Sequence, residues 1–248
     1  MNLVVDIGNT RAKICIVDNQ GSIQYSRAVE ATLMHISNAI DSVLQEYQVQ
    51  HSVVCSVSVS CDKVLEKLKI LPGMVLELSA DTPLPIRNMY STPSTLGRDR
   101  IAAAVGAAHL FPGCNVLIVD AGTAVTFDFL RNGNEYIGGN IAPGVSMRLK
   151  SLHEYTARLP LVRPMENADG FGTSTEKALS NGAVVGLVRE IEGYANDFEK
   201  KNVNSRIILT GGDCIFLSKK LKNTIFAEPN LVTIGLNRIL NYNVSKKN

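Results

Sequence analysis

Hydrophobic positions along this chain alternate between short β-branched runs and stretches in which apolar residues recur every three or four positions. Leu3-Val4-Val5 and the run Ala12 to Val17 are of the first kind. With residues 22–29 they predict three strands, over 3–6, 12–18 and 22–29, joined by short turns such as Asn19-Gln20-Gly21. Met34, Ile36, Ile40, Val43, Leu44 and Tyr47 follow at helical spacing and predict an amphipathic helix over about 31–48. A buried strand over 52–58, a short helix over 62–71 with Val64, Leu65 and Leu68 on one face, and a strand over 74–78 complete the series. Strands, helix, strand, helix, strand is the pattern of one compact α/β lobe.

The prolines of Thr82-Pro83-Leu84-Pro85 and Pro93 exclude a helix interior and predict an extended crossing segment. It leads into Leu96-Gly97-Arg98-Asp99-Arg100, after which the alanine-rich stretch 101–109 reads as a helix with a charged start. Beyond Phe111-Pro112-Gly113 the pattern begins again. An apolar run over 115–128 is interrupted by Asp120-Ala121-Gly122-Thr123, and a partner strand over 135–141 ends in Gly138-Gly139-Asn140-Ile141-Ala142-Pro143-Gly144. Then come a helix over about 145–156, a loop over 159–172, and a long helix over about 175–200, capped by Thr173 or Ser174. Gly182 and Gly186 on that helix suggest close packing against another element. A strand over 206–209, the turn Thr210-Gly211-Gly212-Asp213, a helix over 214–221, a strand over 224–227 and a helix over 231–240 end the chain. The expected division is two lobes, 1–113 and 114–248.

The two halves share one unit: a strand, an acidic-glycine turn and a second strand. Asp6-Ile7-Gly8-Asn9-Thr10 and Asp120-Ala121-Gly122-Thr123 are its two copies. A glycine two residues after the Asp permits a turn with φ > 0 and close backbone approach to a ligand, and successive N–H groups there make an anion-binding concavity. Thr10 and Thr123 add hydroxyl donors, and Asp6 and Asp120 are suited to hold a cation against phosphate oxygens. One copy alone reads equally well as an ordinary hairpin; two copies roughly half a chain apart do not. Gly211-Gly212 adds exposed backbone against which an adenine could lie. Asp99 alone reads as a helix-start carboxylate flanked by solvated arginines.

Composition narrows the partners. The net charge of +2 predicts no nucleic-acid footprint, and no apolar run reaches the length of a membrane helix. Five widely spaced cysteines without a Cys-x-x-Cys pair predict buried, reduced thiols in a cytoplasmic protein, and the four scattered histidines predict no structural zinc. The N-terminal residues carry no leader-like pattern.

Taken in order, Asp6-x-Gly8-Asn9-Thr10, Tyr90-x-x-Pro93-x-x-x-Gly97-x-Asp99-Arg100, Asp120-x-Gly122-Thr123-Ala124-x-Thr126, Gly138-Gly139-x-Ile141-x-Pro143-Gly144 and Thr210-Gly211-Gly212 resemble type III pantothenate kinases over nearly the whole chain. The resemblance implies an α/β fold of two ribonuclease-H-like lobes, a duplicated actin-like ATPase fold with a nucleotide cleft between them. It implies ATP-dependent phosphorylation of pantothenate to 4'-phosphopantothenate, the first step of coenzyme A synthesis, with Mg²⁺ and a monovalent cation, K⁺ or NH₄⁺. Under it, Asp99 matches the catalytic base, and Tyr90, Gly97, Arg98, Asp99 and Arg100 match the acceptor site. Asp6, Ile7, Gly8, Asn9, Thr10, Arg11, Ala12 and Lys13, with Gly122, Thr123, Gly211 and Gly212, match the ATP site. Asp120 matches the monovalent-cation site and Asp6 a Mg²⁺ site. Thr175 matches an acceptor-site threonine supplied across a homodimer interface, although Gly172-Thr173-Ser174 stands before it where the family commonly has Gly-Lys-Asn. Two alternatives remain at this level, a sugar kinase of the same superfamily and a nucleotide-binding regulator without turnover. The first is disfavoured by the absent zinc ligands and the short chain; the second has no need of Asp99.

Overall fold

The structure, a computed structural model, describes residues 1–58, 60–222 and 225–247. In chain order the elements are β1 (Asn2–Ile7), β2 (Arg11–Val17), β3 (Ile23–Glu30), α1 (Leu33–Glu46), β4 (His51–Ser56), α2 (Asp62–Leu68), β5 (Val75–Glu77), β6 (Arg87–Asn88) and α3 (Arg98–Leu110). They continue as β7 (Asn115–Ala121), β8 (Ala124–Arg131), β9 (Glu135–Pro143), α4 (Val145–Glu154), α5 (Thr175–Lys201), β10 (Ser205–Thr210), α6 (Cys214–Ser218), β11 (Phe226–Ala227) and α7 (Leu231–Lys247). The predicted elements are present, with ends displaced by a few residues and α7 running several residues past its expected stop. The start of the last predicted strand, Thr224, lies outside the described residues. Strand β6 was not foreseen. It is two residues long, pairs parallel to Glu135–Tyr136, and lies inside the segment read as merely extended.

Two compact units emerge. One comprises Met1–Gly113, Gly133–Ile137 and the segment from Asn230 onward; the other comprises Cys114–Asn132 and Gly138–Pro229. The first contains a sheet ordered β3-β2-β1-β4-β5, in which β1 runs antiparallel to β2 and parallel to β4. The sheet of the second unit has the order β9-β8-β7-β10-β11, with β7 antiparallel to β8 and parallel to β10. Read strand by strand, β7 stands where β1 does and β10 where β4 does, so the sequence repeat is a repeat of topology.

In the first unit Leu3, Val5 and Ile7 of β1 form one buried cluster with Ile36, Ile40 and Val43 of α1. Strand alternation then turns Asn2, Val4 and Asp6 to the opposite face. There the Asn2 amide donates to Asn237 and Asn241 of α7, each at 2.8 Å. The second unit repeats the arrangement: Leu117, Val119 and Ala121 of β7 pack with Val184, Leu187 and Ile191 of α5.

A boundary at residue 113 assigns the terminal helix to the second lobe, whereas α7 packs within the first unit. The reason is its fit to α3. A Cβ on Gly106 would collide with the Leu231 carbonyl, and one on Gly235 with that of Ala102, so the two backbones touch where neither carries a side chain. Asn243 adds a bond to Pro83 O at 2.9 Å. Helix α3 is buried from Arg100 to Ala107, which explains its lack of a polar face in sequence.

Candidate active site

In the first unit the chemistry gathers at the carboxyl end of β1 and the amino end of α3. Asp6 ends the apolar run of β1, and the β1–β2 register sets it across from Lys13, whose Nζ bonds Asn230 Oδ1 at 2.6 Å. Burial, and after it the charge of Asp99, raise the Asp6 carboxyl to about 7 against the opposing pull of Lys13. Burial together with Asp6 and Asp99 also holds the Cys55 thiol, on neighbouring β4, well above its usual range. Asp6, Asp99, Lys13 and Cys55 therefore share one electrostatic neighbourhood. Carboxyl ends of adjacent parallel strands are the usual ligand end of an open α/β sheet.

Asp99 occupies the first turn of α3, and its Oδ1 accepts the Arg100 N–H at 2.9 Å. Two residues earlier stands Gly97, where a Cβ would lie 2.6 Å from Asp99 Oδ1 as that carboxylate is now placed. Arg100 is buried, with its guanidinium carbon 5.9 Å from the centre of the Tyr90 ring. Tyr90 in turn leans on Tyr136, ring centres 6.1 Å apart, and the fully buried Tyr136 offers its carbonyl to Met89 N at 2.9 Å. The structure thus brings Tyr90, Asp99 and Arg100 together. Tyr136 escaped the sequence reading, since a strand tyrosine carries no signal until β9 is placed beside β6. Arg98 is occupied differently: its guanidinium donates to the carbonyls of Pro93, Leu96 and Ser94 at 3.0–3.2 Å, closing the 3₁₀ turn Pro93–Thr95.

The glycine turns differ from the sequence expectation in one respect. Neither Gly8 nor Gly122 has positive φ. Each uses its N–H to close its own turn, Gly8 to Arg11 O and Gly122 to Ala124 O, both at 3.0 Å. Space at Gly8 is tight, a Cβ lying 3.1 Å from Arg11 O. Asn9, Thr10 and Arg11 remain exposed in the first turn and Thr123 in the second, while Ala12 is buried behind them.

In the second unit Asp120 is the penultimate residue of β7, as Asp6 is of β1. Gly211, at φ +92°, passes so close that a Cβ would strike Asp120 Oδ1 and Ala121 O, and Asp213 N donates to that carbonyl at 2.9 Å. Here glycine is needed for both conformation and space. Burial raises the Asp213 carboxyl, and burial with Glu228 and Asp120 lifts the Cys214 thiol to about 11. Gly144 seats directly on the turn, donating to Thr123 O at 3.1 Å. Thr175 is the first residue of α5 behind the cap Ser174, whose hydroxyl accepts from Lys177 N. The close packing expected at Gly182 and Gly186 is not made within the chain. A Cβ on Gly182 meets nothing within 4 Å, and one on Gly186 meets only Arg148 Nη1 at 4.0 Å.

The five cysteines are free and buried, and among the described residues no cluster of three or more metal-binding side chains occurs and no helix is long and apolar enough to cross a membrane. A Mg²⁺ ion does not require such a cluster, because it keeps several waters and takes one or two carboxylates. The crowded Asp6–Asp99 neighbourhood, which raises the Asp6 carboxyl to about 7, fits a site that a cation would relieve.

The raised Asp6 carboxyl makes a signed prediction. The folded protein keeps a proton that the unfolded chain releases at the ordinary value of 3.8, up to about 7. Folding is penalised increasingly as pH rises through that window, and the penalty is constant above it. Asp6→Asn removes the linkage. In buffer free of nucleotide and divalent metal, its Tm advantage over the parent should widen through the window and then level off. A pH-independent difference in Tm would mean that Asp6 titrates normally.

Comparison with known proteins agrees with this layout. The family model for type III pantothenate kinase matches residues 2–197. Type III pantothenate kinases of Bacteroides fragilis and Porphyromonas gingivalis are 43% identical over 243 residues and 36% identical over 246 residues; each alignment covers 98% of this chain and at least 98% of the relative. Among solved structures, a Campylobacter jejuni protein placed in the Baf family of transcriptional activators superposes with a TM-score of 0.63 at 24% identity, over 97% of this chain and 98% of its own. A ROK family glucokinase from Streptomyces griseus, solved with glucose and AMPPNP, gives 0.53 at 16% identity, over 97% and 98%. These two likenesses concern the fold, which is that of the actin-like ATPases and sugar kinases. With the family model spanning most of its length and full-length relatives at such identity, the chain belongs to the type III pantothenate kinase family.

Proposed function

We propose that this chain transfers the γ-phosphoryl group of ATP to the primary hydroxyl of pantothenate, with Asp99 as general base. ATP-dependent phosphoryl transfer to pantothenate is the activity its family membership implies. The observation that carries the residue assignment is the meeting of Asp99, Arg100 and Tyr90 at the start of α3, in the electrostatic neighbourhood of Asp6. An alkyl hydroxyl is a poor nucleophile at neutral pH, and the reaction needs it in line with the phosphate and relieved of its proton as bonding develops. Arg100, buried against Tyr90, is placed to clamp the acceptor. Arg98 serves the site by closing the turn before it.

The phosphates of ATP are assigned to the turns Gly8–Thr10 and Gly122–Thr123, with Lys13 supplying positive charge and the adenine lying against Gly211 and Gly212. Mg²⁺, when bound, would screen phosphate charge beside Asp6. The monovalent cation is assigned to Asp120, whose carboxylate and neighbouring carbonyls suit K⁺ or NH₄⁺ and would offset its repulsion of phosphate. The subunit contact is assigned to α5, where the open faces of Gly182 and Gly186 leave room for a second backbone and where Thr175 would serve the neighbouring subunit's acceptor site. This is a homodimer with shared sites.

Three outcomes are expected. First, ADP release should depend on pantothenate, and Asp99→Asn should lower kcat by roughly 10²–10⁴-fold while ATP still binds. A variant that melts earlier, as loss of a helix-start carboxylate alone would make it, but turns over normally would return Asp99 to a structural role. A folded parent that binds ATP but never releases ADP with pantothenate would favour the regulator reading instead. Second, turnover should rise when K⁺ or NH₄⁺ replaces Na⁺; equal rates in sodium would remove the cation from Asp120. Third, mixing Asp99→Asn chains with Thr175→Val chains should restore part of the activity through hybrid sites. Complete inactivity after proven subunit exchange would dismiss the shared site.

A further inference from the structure

Arg148 stands on the first turn of α4, where the helix dipole disfavours a cation, so something else must justify its placement. Its Nε donates to Pro143 O at 2.8 Å, and its Nη2 pairs with Glu190 of α5. The two side chains are only 21% and 29% exposed. Pro143 leads directly into Gly144, which has no room for a side chain: a Cβ would run into the carbonyls of Gly122 and Thr123. Gly144 N also bonds Thr123 O at 3.1 Å. Glu190, Arg148, the Pro143-Gly144 step and the Gly122-Thr123 turn therefore form one continuous series of contacts inside the second unit.

We infer that Arg148 is a positioning residue for nucleotide binding. It fixes the Pro143-Gly144 strut against which the Asp120–Thr123 turn is set, and Glu190 fixes Arg148. A stabilising role and a positioning role differ in what they do to ligand affinity, and the geometry points to the second. A planar guanidinium engages two acceptors along two fixed directions at once, here Pro143 O and Glu190, which an ammonium cannot. The bond to Pro143 O also falls on the one residue whose carbonyl direction sets the entry of the chain into Gly144. Misplacing a preorganised ligand-binding turn by a fraction of an ångström is costly even when the altered residue touches no ligand. The inference rests on the assignment of the Gly122-Thr123 turn to ATP.

The test is equilibrium binding of the β,γ-imido analogue of ATP with Mg²⁺ to the full chain, alongside steady-state kinetics. Arg148→Ala should weaken analogue binding and raise the KM for ATP by about tenfold, the scale of one charge-assisted hydrogen bond, with pantothenate KM changed by less than about twofold. Arg148→Lys, which can keep the pair with Glu190 but not both contacts, should fall between, and Glu190→Gln should resemble it. Variants with lower Tm and unaltered analogue affinity would overturn the inference. If Arg148→Ala does not fold, Arg148→Lys decides by the same reading, weakened affinity supporting the role and parental affinity refuting it. Failure of the analogue to bind the unaltered protein would strike the ATP assignment instead. Hydrogen exchange at the amides of residues 121–124 then still reads the clamp: faster exchange in Arg148→Lys supports it, and unchanged exchange rejects it.

Discussion

A carboxylate held near the end of a buried, mostly apolar strand is the constraint on which the first unit depends. β1 is buried on both faces, so Asp6 reaches the strand end in surroundings that resist its charge, with Asp99 adding to the resistance and Lys13 easing it. Charge in such a place is tolerated only where a proton, a cation or a neighbouring positive group compensates it. The sheet supplies the apolar surroundings, α3 supplies Asp99, and the hairpin partner β2 supplies Lys13. Take away the packing of any of the three and the electrostatic character of the site changes with it.

The second unit repeats the strand order around Asp120 but uses the position otherwise. Gly211 is pressed against its carboxylate and Gly144 sits on the turn that follows. The first unit brings the acidic start of α3 to its strand end; the second brings the backbone of Gly211 and Gly144 to its own, beside Asp120 and Asp213.

Helices α3 and α7 show how glycine without unusual dihedral angles shapes the fold. Gly106 and Gly235 let two helical backbones touch, and this anchors the C-terminal helix to the unit that begins the chain. The buried Asn2, bonded to Asn237 and Asn241, adds direction to that packing, since a buried amide is costly to leave unpaired.

Much of this was legible in the sequence. Periodicity placed the strands and helices within a few residues, because a strand buried on both faces must be continuously apolar and a surface helix must show its stripe. The two Asp-x-Gly turns announced a duplicated unit, and the ordered motifs announced the family. What the sequence did not determine was how each motif is used. Gly8 and Gly122 looked like positive-φ residues, yet their N–H groups close tight hairpins at ordinary φ. Arg98 was legible as a charged neighbour of Asp99, but not the three carbonyls of the preceding turn that its guanidinium bonds. Helix α7 followed the second half in sequence, yet belongs with α3 because only there do two facing glycines admit it. Tyr136, Arg148 and Glu190 gave no signal at all. Their roles arise from contacts between residues distant in the chain, and such contacts exist only once side chains are packed.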